Sequence, residues 1–252
     1  MPDFLQRHLN ALGLRYQRQI AFLRARLAPQ SYLGLQLTLG AAALMCASWL
    51  FGSIAEDVVS GDALTVVDVR LARWFYAHAR ASITPLMFAV SDLHGPAGIT
   101  IMGLMMAAWL AWRRNWYQLV CLAAVLPLGM VVNSLMKFAF QRARPSFEVP
   151  LLVLSSYSFP SGHVAAATLL YGMLVVLAYS QTPVWRWRSL AAMGAGLMVV
   201  LVALSRMYLG VHYLSDVLAA FAEGVAWLAL CLTAVNTFRN RVGGMGQTAG
   251  LC

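Results

Sequence analysis

Six long apolar runs, each close to the length of a helix that crosses a bilayer, constrain this chain more than any other feature of its sequence. At 1.5 Å of rise per residue, a helix needs about 20 apolar residues to cross the hydrocarbon core. Lipid offers no partner for a loose backbone group, so successive runs of this kind fold as packed helices. The runs cover residues 32–54, 96–112, 116–138, 162–180, 189–208 and 213–235. The second is the shortest and follows another apolar stretch, 83–93, from which Ser91-Asp92-Leu93-His94-Gly95-Pro96 separates it; Gly95-Pro96 is the expected break. Only 11% of the 252 residues are charged, against about a quarter in a soluble domain, which excludes a water-soluble globule and a disordered chain alike. The expected fold is all-α and integral to the membrane, a bundle of six transmembrane helices.

Basic residues concentrate in cytoplasmic loops, so their distribution gives the orientation. With the N-terminus inside, the cytoplasmic segments hold Arg7, Arg15, Arg18, Arg24, Arg26, Arg113, Arg114, Arg186, Arg188, Arg239 and Arg241, eleven of the eighteen Lys and Arg residues. Both ends are then cytoplasmic. Residues 1–30 interleave their arginines with Phe4, Leu5, Leu9, Leu12 and Ile20, the pattern of an amphipathic helix on an anionic leaflet rather than of a cleavable signal. Residues 31–240 form the membrane domain, and the glycine-rich stretch from Gly243 on reads as a flexible tail within residues 241–252. Between the first two spans, residues 63–79 place Leu64, Val67, Leu71, Trp74, Phe75 and His78 at helical spacing with Asp68, Arg70 and Arg73 on other faces, as in an interfacial helix outside the membrane. The net charge of +9 fits topology and anionic ligands, and no nucleic-acid motif accompanies it. Four cysteines show no metal-ligand spacing.

This topology collects chemistry on one face. Lys137 closes the third span, and Arg142, Arg144 and Pro145 follow; Pro160-Ser161-Gly162-His163 opens the fourth; Ser205-Arg206 closes the fifth; His212 and Asp216 open the sixth. Three cations, two histidines and one carboxylate suit a tetrahedral dianion better than a metal, which would want more carboxylates or thiolates. Phosphate is the natural guest. Arg144 and Arg206 can grip its oxygens with planar forks, and Lys137, the sole lysine, is a point charge. Gly162 and its neighbours offer unpaired amides at a helix N-terminus, and Ser161 adds a hydroxyl. His212 and Asp216, four residues apart, share a helix face, so the carboxylate can orient the imidazole as nucleophile or base, with His163 left to protonate the leaving oxygen. The three cations do the work that Mg²⁺ does elsewhere, and no cofactor is called for.

These residues resemble the type 2 phosphatidic acid phosphatases, which share a catalytic core with vanadium haloperoxidases. The three-part signature is present as Lys137-x6-Arg144-Pro145, Pro160-Ser161-Gly162-His163 and Ser205-Arg206-x5-His212-x3-Asp216, over about residues 130–221. The resemblance implies His212 as nucleophile, Asp216 as its orienting partner, His163 as general acid, and Lys137, Arg144, Ser161, Gly162 and Arg206 as phosphoryl ligands. It implies a metal-independent hydrolase of lipid phosphates or diphosphates with its site facing away from the cytoplasm; the short loops suggest a bacterial inner membrane, with undecaprenyl diphosphate, phosphatidate or phosphatidylglycerol phosphate as the expected substrates. The partners so implied are the lipid substrate and the bilayer, with no nucleic acid and no obligate protein. A phosphotransferase using the same phosphohistidine, or a protein that only binds or transports phospholipid, are the competing readings.

Outside the signature, Arg142 reads as structural because alternation turns it away from Arg144. Glu223, seven residues past Asp216 and deeper in the span, is an intramembrane carboxylate with a protonated or hydrogen-bonded role, and Asn133 an interhelical hydrogen-bonding residue. His8, His78 and His94 lack partners at useful spacing and read as interfacial or loop residues.

Overall fold

The computed structural model describes residues 35–248, and the amphipathic segment expected at 1–30 lies outside them. Eight helices and no strand occur among the described residues. They are α1 (Leu35–Ser60), α2 (Ala63–Ala77), α3 (Thr84–Leu93), α4 (Pro96–Trp112), α5 (Trp116–Phe140), α6 (Gly162–Gln181), α7 (Trp185–Tyr208) and α8 (Leu214–Thr248). Five of them, α1, α5, α6, α7 and α8, are each long and apolar enough to cross a membrane. The α3 and α4 helices meet at a 49° bend, and counting that pair as one broken span makes six. The protein is therefore helical throughout its described part and integral to the membrane.

Local sequence explains where the helices stop. Pro96 opens α4 at a position whose N–H would be unpaired anyway, directly after Gly95. Asn115 caps α5 by accepting the Gln118 amide at 3.3 Å. Gln141, left-handed at φ 46°, ends α5 and turns the chain into the long connection to α6. Gly210, at φ +71°, makes the tight passage from α7 to α8, and a Cβ there would meet the Phe147 ring at 3.0 Å. The last helix runs through Thr248, past Gly243, where the sequence predicts a flexible tail to begin.

Residues 44–231 form one compact unit that carries everything below; a second joins the flanking residues, where Gly40 takes Thr233 directly against its backbone. Within the large unit α6 is the most enclosed helix, half of its apolar window being buried, and it packs against α4, α5 and α7. Small residues permit the close approach of its neighbours: a Cβ at Gly129 of α5 would lie 2.5 Å from the Leu169 side chain of α6, and one at Gly224 of α8 2.8 Å from Thr168 of α6.

The α2 helix forms as the amphipathic pattern predicts, but a different face turns inward. Leu71 and Phe75 pack on the buried cluster of α6, α7 and α8, while Val67 and Trp74 are exposed. Asp68, placed by its polarity on an outer face, has no exposed surface at all. Its register with Leu64, Leu71 and Phe75 puts it on the inner stripe, and a hydropathy pattern counts any carboxylate as outward.

Candidate active site

Four helix ends build the site: the C-terminal turns of α5 and α7 and the first turns of α6 and α8. All eight residues expected from the sequence are at these ends or in the connections beside them.

His212 is 2% exposed, in the connection 209–213. Its Nδ1 lies 3.3 Å from Asp216 Oδ2 and 3.5 Å from the Ser158 hydroxyl. Asp216 accepts from Nδ1–H, so Nε2 carries the lone pair, and Arg144 Nη1 donates to it at 3.2 Å. Burial, only partly opposed by the Asp216 hydrogen bond and charge, pushes the His212 pKa down to about 3, so the ring is neutral at ordinary pH. Asp216 is completely buried, and its second carboxylate oxygen also accepts the Tyr213 N–H at 2.8 Å and the Ser158 hydroxyl. Its backbone carbonyl accepts the Ser161 N–H at 3.1 Å, which ties the start of α6 to the start of α8.

The cations differ in how they are held. Lys137 Nζ donates to the Tyr157 carbonyl at 2.9 Å, and Arg144 Nη2 reaches the same oxygen at 3.2 Å. Arg144 also spans the Ser156 carbonyl at 2.7 Å and the Val211 carbonyl at 2.6 Å. Burial lowers its pKa, partly offset by Asp216, yet a guanidinium stays cationic. Arg206 is 1% exposed; its Nη1 donates to the Ser91 hydroxyl, and neither Nε nor Nη2 has a hydrogen-bond partner among the described residues. The Ser161 hydroxyl, fully buried, is likewise unpartnered and makes no helix cap.

Gly162 starts α6 so close to α5 that a Cβ would stand 3.3 Å from Asn133 Oδ1 and 3.8 Å from Lys137 Cε. His163 follows it, with Arg206, His212 and Arg144 the charged and titratable groups of the signature that face its ring. Buried donors without acceptors are costly, and Arg206 Nε and Nη2 at the end of α7 and the Ser161 hydroxyl at the start of α6 are three such groups at the helix ends that carry the site, which fits an anion. Among the described residues no three His, Cys, Asp or Glu side chains gather as a metal site.

Several contributors lie outside the motifs. Arg142, read as structural, is an ion-pair centre: Nη1 meets Asp216 Oδ1 at 2.6 Å and Nη2 meets Asp68 Oδ2 at 2.8 Å. Burial disfavours its charge, but Asp216 and Asp68 outweigh that and hold its pKa above the ordinary value. The break between α3 and α4 also serves the site. Ser91 bonds Arg206, and a Cβ on Gly95 would be 3.7 Å from His163 Nε2. His94, expected to lack a partner, is 1% exposed and joins the Tyr171 hydroxyl at 2.7 Å. Asp68 was detectable from its helical register, whereas no local pattern distinguishes Ser91, His94 or Ser158. Glu223 is hydrogen-bonded as expected, its Oε2 accepting from Asn133 Nδ2 at 2.8 Å.

Known proteins resemble this chain over the segment that carries the site. The PAP2 superfamily model matches residues 118–240, a segment that includes all three motifs. Phosphatidylglycerophosphatase B of Bacillus subtilis is 36% identical over 115 residues, 45% of this chain and 56% of that protein. The undecaprenyl-diphosphatase of Sulfolobus acidocaldarius is 32% identical over 107 residues, 40% of this chain and 47% of its own length. The matched part thus spans about half the length of these curated relatives. The crystal structure of a transmembrane PAP2-type phosphatidylglycerolphosphate phosphatase from Bacillus subtilis superposes with a TM-score of 0.67 at 26% identity, covering 79% of this chain and 96% of that one.

Proposed function

On the premise that this chain carries a PAP2 superfamily segment at residues 118–240, we propose that it is an integral membrane phosphatase of lipid phosphates or diphosphates. The observation that carries the reading is a neutral, carboxylate-oriented His212 beside Arg206 and Ser161, whose buried donors lack partners among the described residues.

In the reaction, the phosphoryl oxygens accept hydrogen bonds from Arg206 Nε–H and Nη2–H, from the Ser161 hydroxyl and from the first amides of α6, with Lys137 completing the charge. Arg144 Nη1 leaves His212 Nε2 for a phosphoryl oxygen, which frees the lone pair. Nε2 attacks phosphorus in line; the N–P bond forms, the P–O bond to the lipid breaks, and the departing oxygen takes a proton from His163. Asp216 holds the positive charge that develops on the imidazole. Water, deprotonated by His163, then attacks phosphorus, breaks the N–P bond and releases inorganic phosphate. Charge stabilisation by fixed cations supplies the main catalytic effect.

On this reading α3 and α4 make one broken span of six, both termini are cytoplasmic and the four catalytic helix ends lie on the opposite face of a bacterial inner membrane; the support is the 49° bend of that pair and the eleven arginines in the segments read as cytoplasmic. The α2 helix then lies at that outer interface. Phosphatidylglycerol phosphate and undecaprenyl diphosphate are the first substrates to test, because similar proteins are named for them. The test is phosphate release by the detergent-purified protein in EDTA from those two lipids and phosphatidate, with His212→Ala alongside. Turnover that survives the chelator and disappears in the variant is the expected result. Release from none of the three lipids would overturn the reading in favour of phosphotransfer or binding.

A further inference from the structure

Three carboxylate and guanidinium groups behind His212 form a chain that the signature does not contain. Asp68, from α2, uses both oxygens on the start of α8: Oδ1 accepts the Ser215 N–H at 2.9 Å and Oδ2 the Ser215 hydroxyl at 2.5 Å. The same Oδ2 pairs with Arg142 Nη2 at 2.8 Å. Arg142 Nη1 carries the link on to Asp216 Oδ1 and the Ser215 hydroxyl, both at 2.6 Å. The guanidinium lies 4.5 Å above the Tyr213 ring, so it is held from a third side as well. Asp68 and Asp216 are completely buried.

We propose that Asp68 and Arg142 are positioning residues for His212, acting through Asp216; the proposal rests on the reading of His212 as the nucleophile. Two effects combine. Arg142 occupies Asp216 Oδ1 and so fixes the carboxylate plane with Oδ2 toward His212 Nδ1, which aims Nε2 at phosphorus. Asp68 sets the charge. Alone with Arg142, Asp216 would be neutralised as a pair and would offer little to an imidazole gaining positive charge. Asp68 shares that guanidinium, so the three groups together keep one net negative charge, and it faces the phosphohistidine.

Charge and packing are separable by experiment. Asp68→Asn keeps the shape of the side chain and removes the charge. In the phosphate-release assay it lowers kcat by about 10- to 100-fold, the scale of a misplaced reacting group, while KM and inhibition by inorganic phosphate stay within about threefold because Lys137, Arg144, Arg206 and Ser161 are untouched. Adding Arg142→Met to Asp68→Asn restores the single negative charge on Asp216, while the Tyr213 N–H and the Ser158 hydroxyl still hold its Oδ2 toward His212, so the double variant regains part of the lost kcat. Merely structural residues would give losses that accumulate. Melting temperature in detergent and phosphate inhibition report whether each variant is folded with its anion pocket intact. A kcat for Asp68→Asn within twofold of the parent, or a double variant slower than the single one in folded protein, overturns the inference. If Asp68→Asn does not fold, Ser215→Ala, which removes the hydroxyl's two hydrogen bonds, to Arg142 and to Asp68, and no charge, takes its place: a 10-fold or greater fall in kcat there would point to packing and count against the charge argument. Turnover that persists in His212→Ala would remove the parent reading instead, and this inference with it.

Discussion

Arg142, partly buried, and Arg206, fully buried, are guanidinium groups at the same site, and they are held in opposite ways. Arg142 is spent on the protein: two carboxylates, a serine hydroxyl and an aromatic face surround it. Arg206 makes one side-chain hydrogen bond, to Ser91, and keeps two buried N–H donors without acceptors among the described residues. A folded chain tolerates unpaired buried donors poorly, so a guanidinium left in that condition is shaped for something that arrives later, and a fully paired one for what stays. Arg206 is a signature position and Arg142 one of the unspecified residues between Lys137 and Arg144, and their hydrogen-bond inventories give the physical difference.

The hardest test of this contrast removes the group that both arginines surround. His212→Ala is expected to lower kcat by about 10⁴-fold or more, read as phosphate release under saturating lipid; a loss below tenfold would mean that neither arginine serves a nucleophile there. Arg206→Met comes next. It should cost about 10²- to 10³-fold in kcat/KM and weaken inhibition by inorganic phosphate, while the melting temperature holds or rises because two unpaired buried donors are gone. Arg142→Met should reverse that pattern: stability drops by about 3 kcal/mol, since Asp68 and Asp216 are left as uncompensated neighbours, and phosphate inhibition hardly changes. Equal effects of the two substitutions on stability and on phosphate affinity would erase the distinction.

The smallest expected effect is one of pH. His212 has a pKa of about 3 in the folded protein, below the ordinary 6.5, because it is buried neutral. Its contribution to stability is therefore complete above about pH 6.5 and is lost as pH falls toward 3. Melting temperature should decline over that interval, and His212→Gln should flatten the decline. For the same reason the acid limb of kcat/KM should not fall at 6.5 through His212. Melting curves of equal slope in parent and variant would show that His212 is charged in the folded state.

Much of this site was legible because the family signature places its residues at helix ends, where an all-helical membrane chain must bring them together. Lys137, Arg144, His212 and Asp216 could be assigned to one layer from span order alone. The helix between the first two spans was legible too, as was the break before Pro96. What escaped was the support. Asp68 looks like a surface residue to any pattern that sorts by polarity, and its burial depends on Arg142 and Ser215, which sequence distance hides. Ser91 and His94 lie in a stretch that reads as an interruption between apolar runs. The interruption is functional because its polar groups end up against Arg206 and Tyr171.

The link from Asp68 to α8 has a consequence for biosynthesis. Asp68 leaves the ribosome 74 residues before Arg142 and 147 before Ser215. At about 5–20 residues per second, the carboxylate waits roughly 4–15 s for its first partner and 7–30 s for its second. Until Arg142 follows, Asp68 has no ion-pair partner, and until Ser215 follows it lacks the contacts that hold α2 to α8. The docking of α2 is a late event in maturation, and an incompletely synthesised chain has no oriented His212.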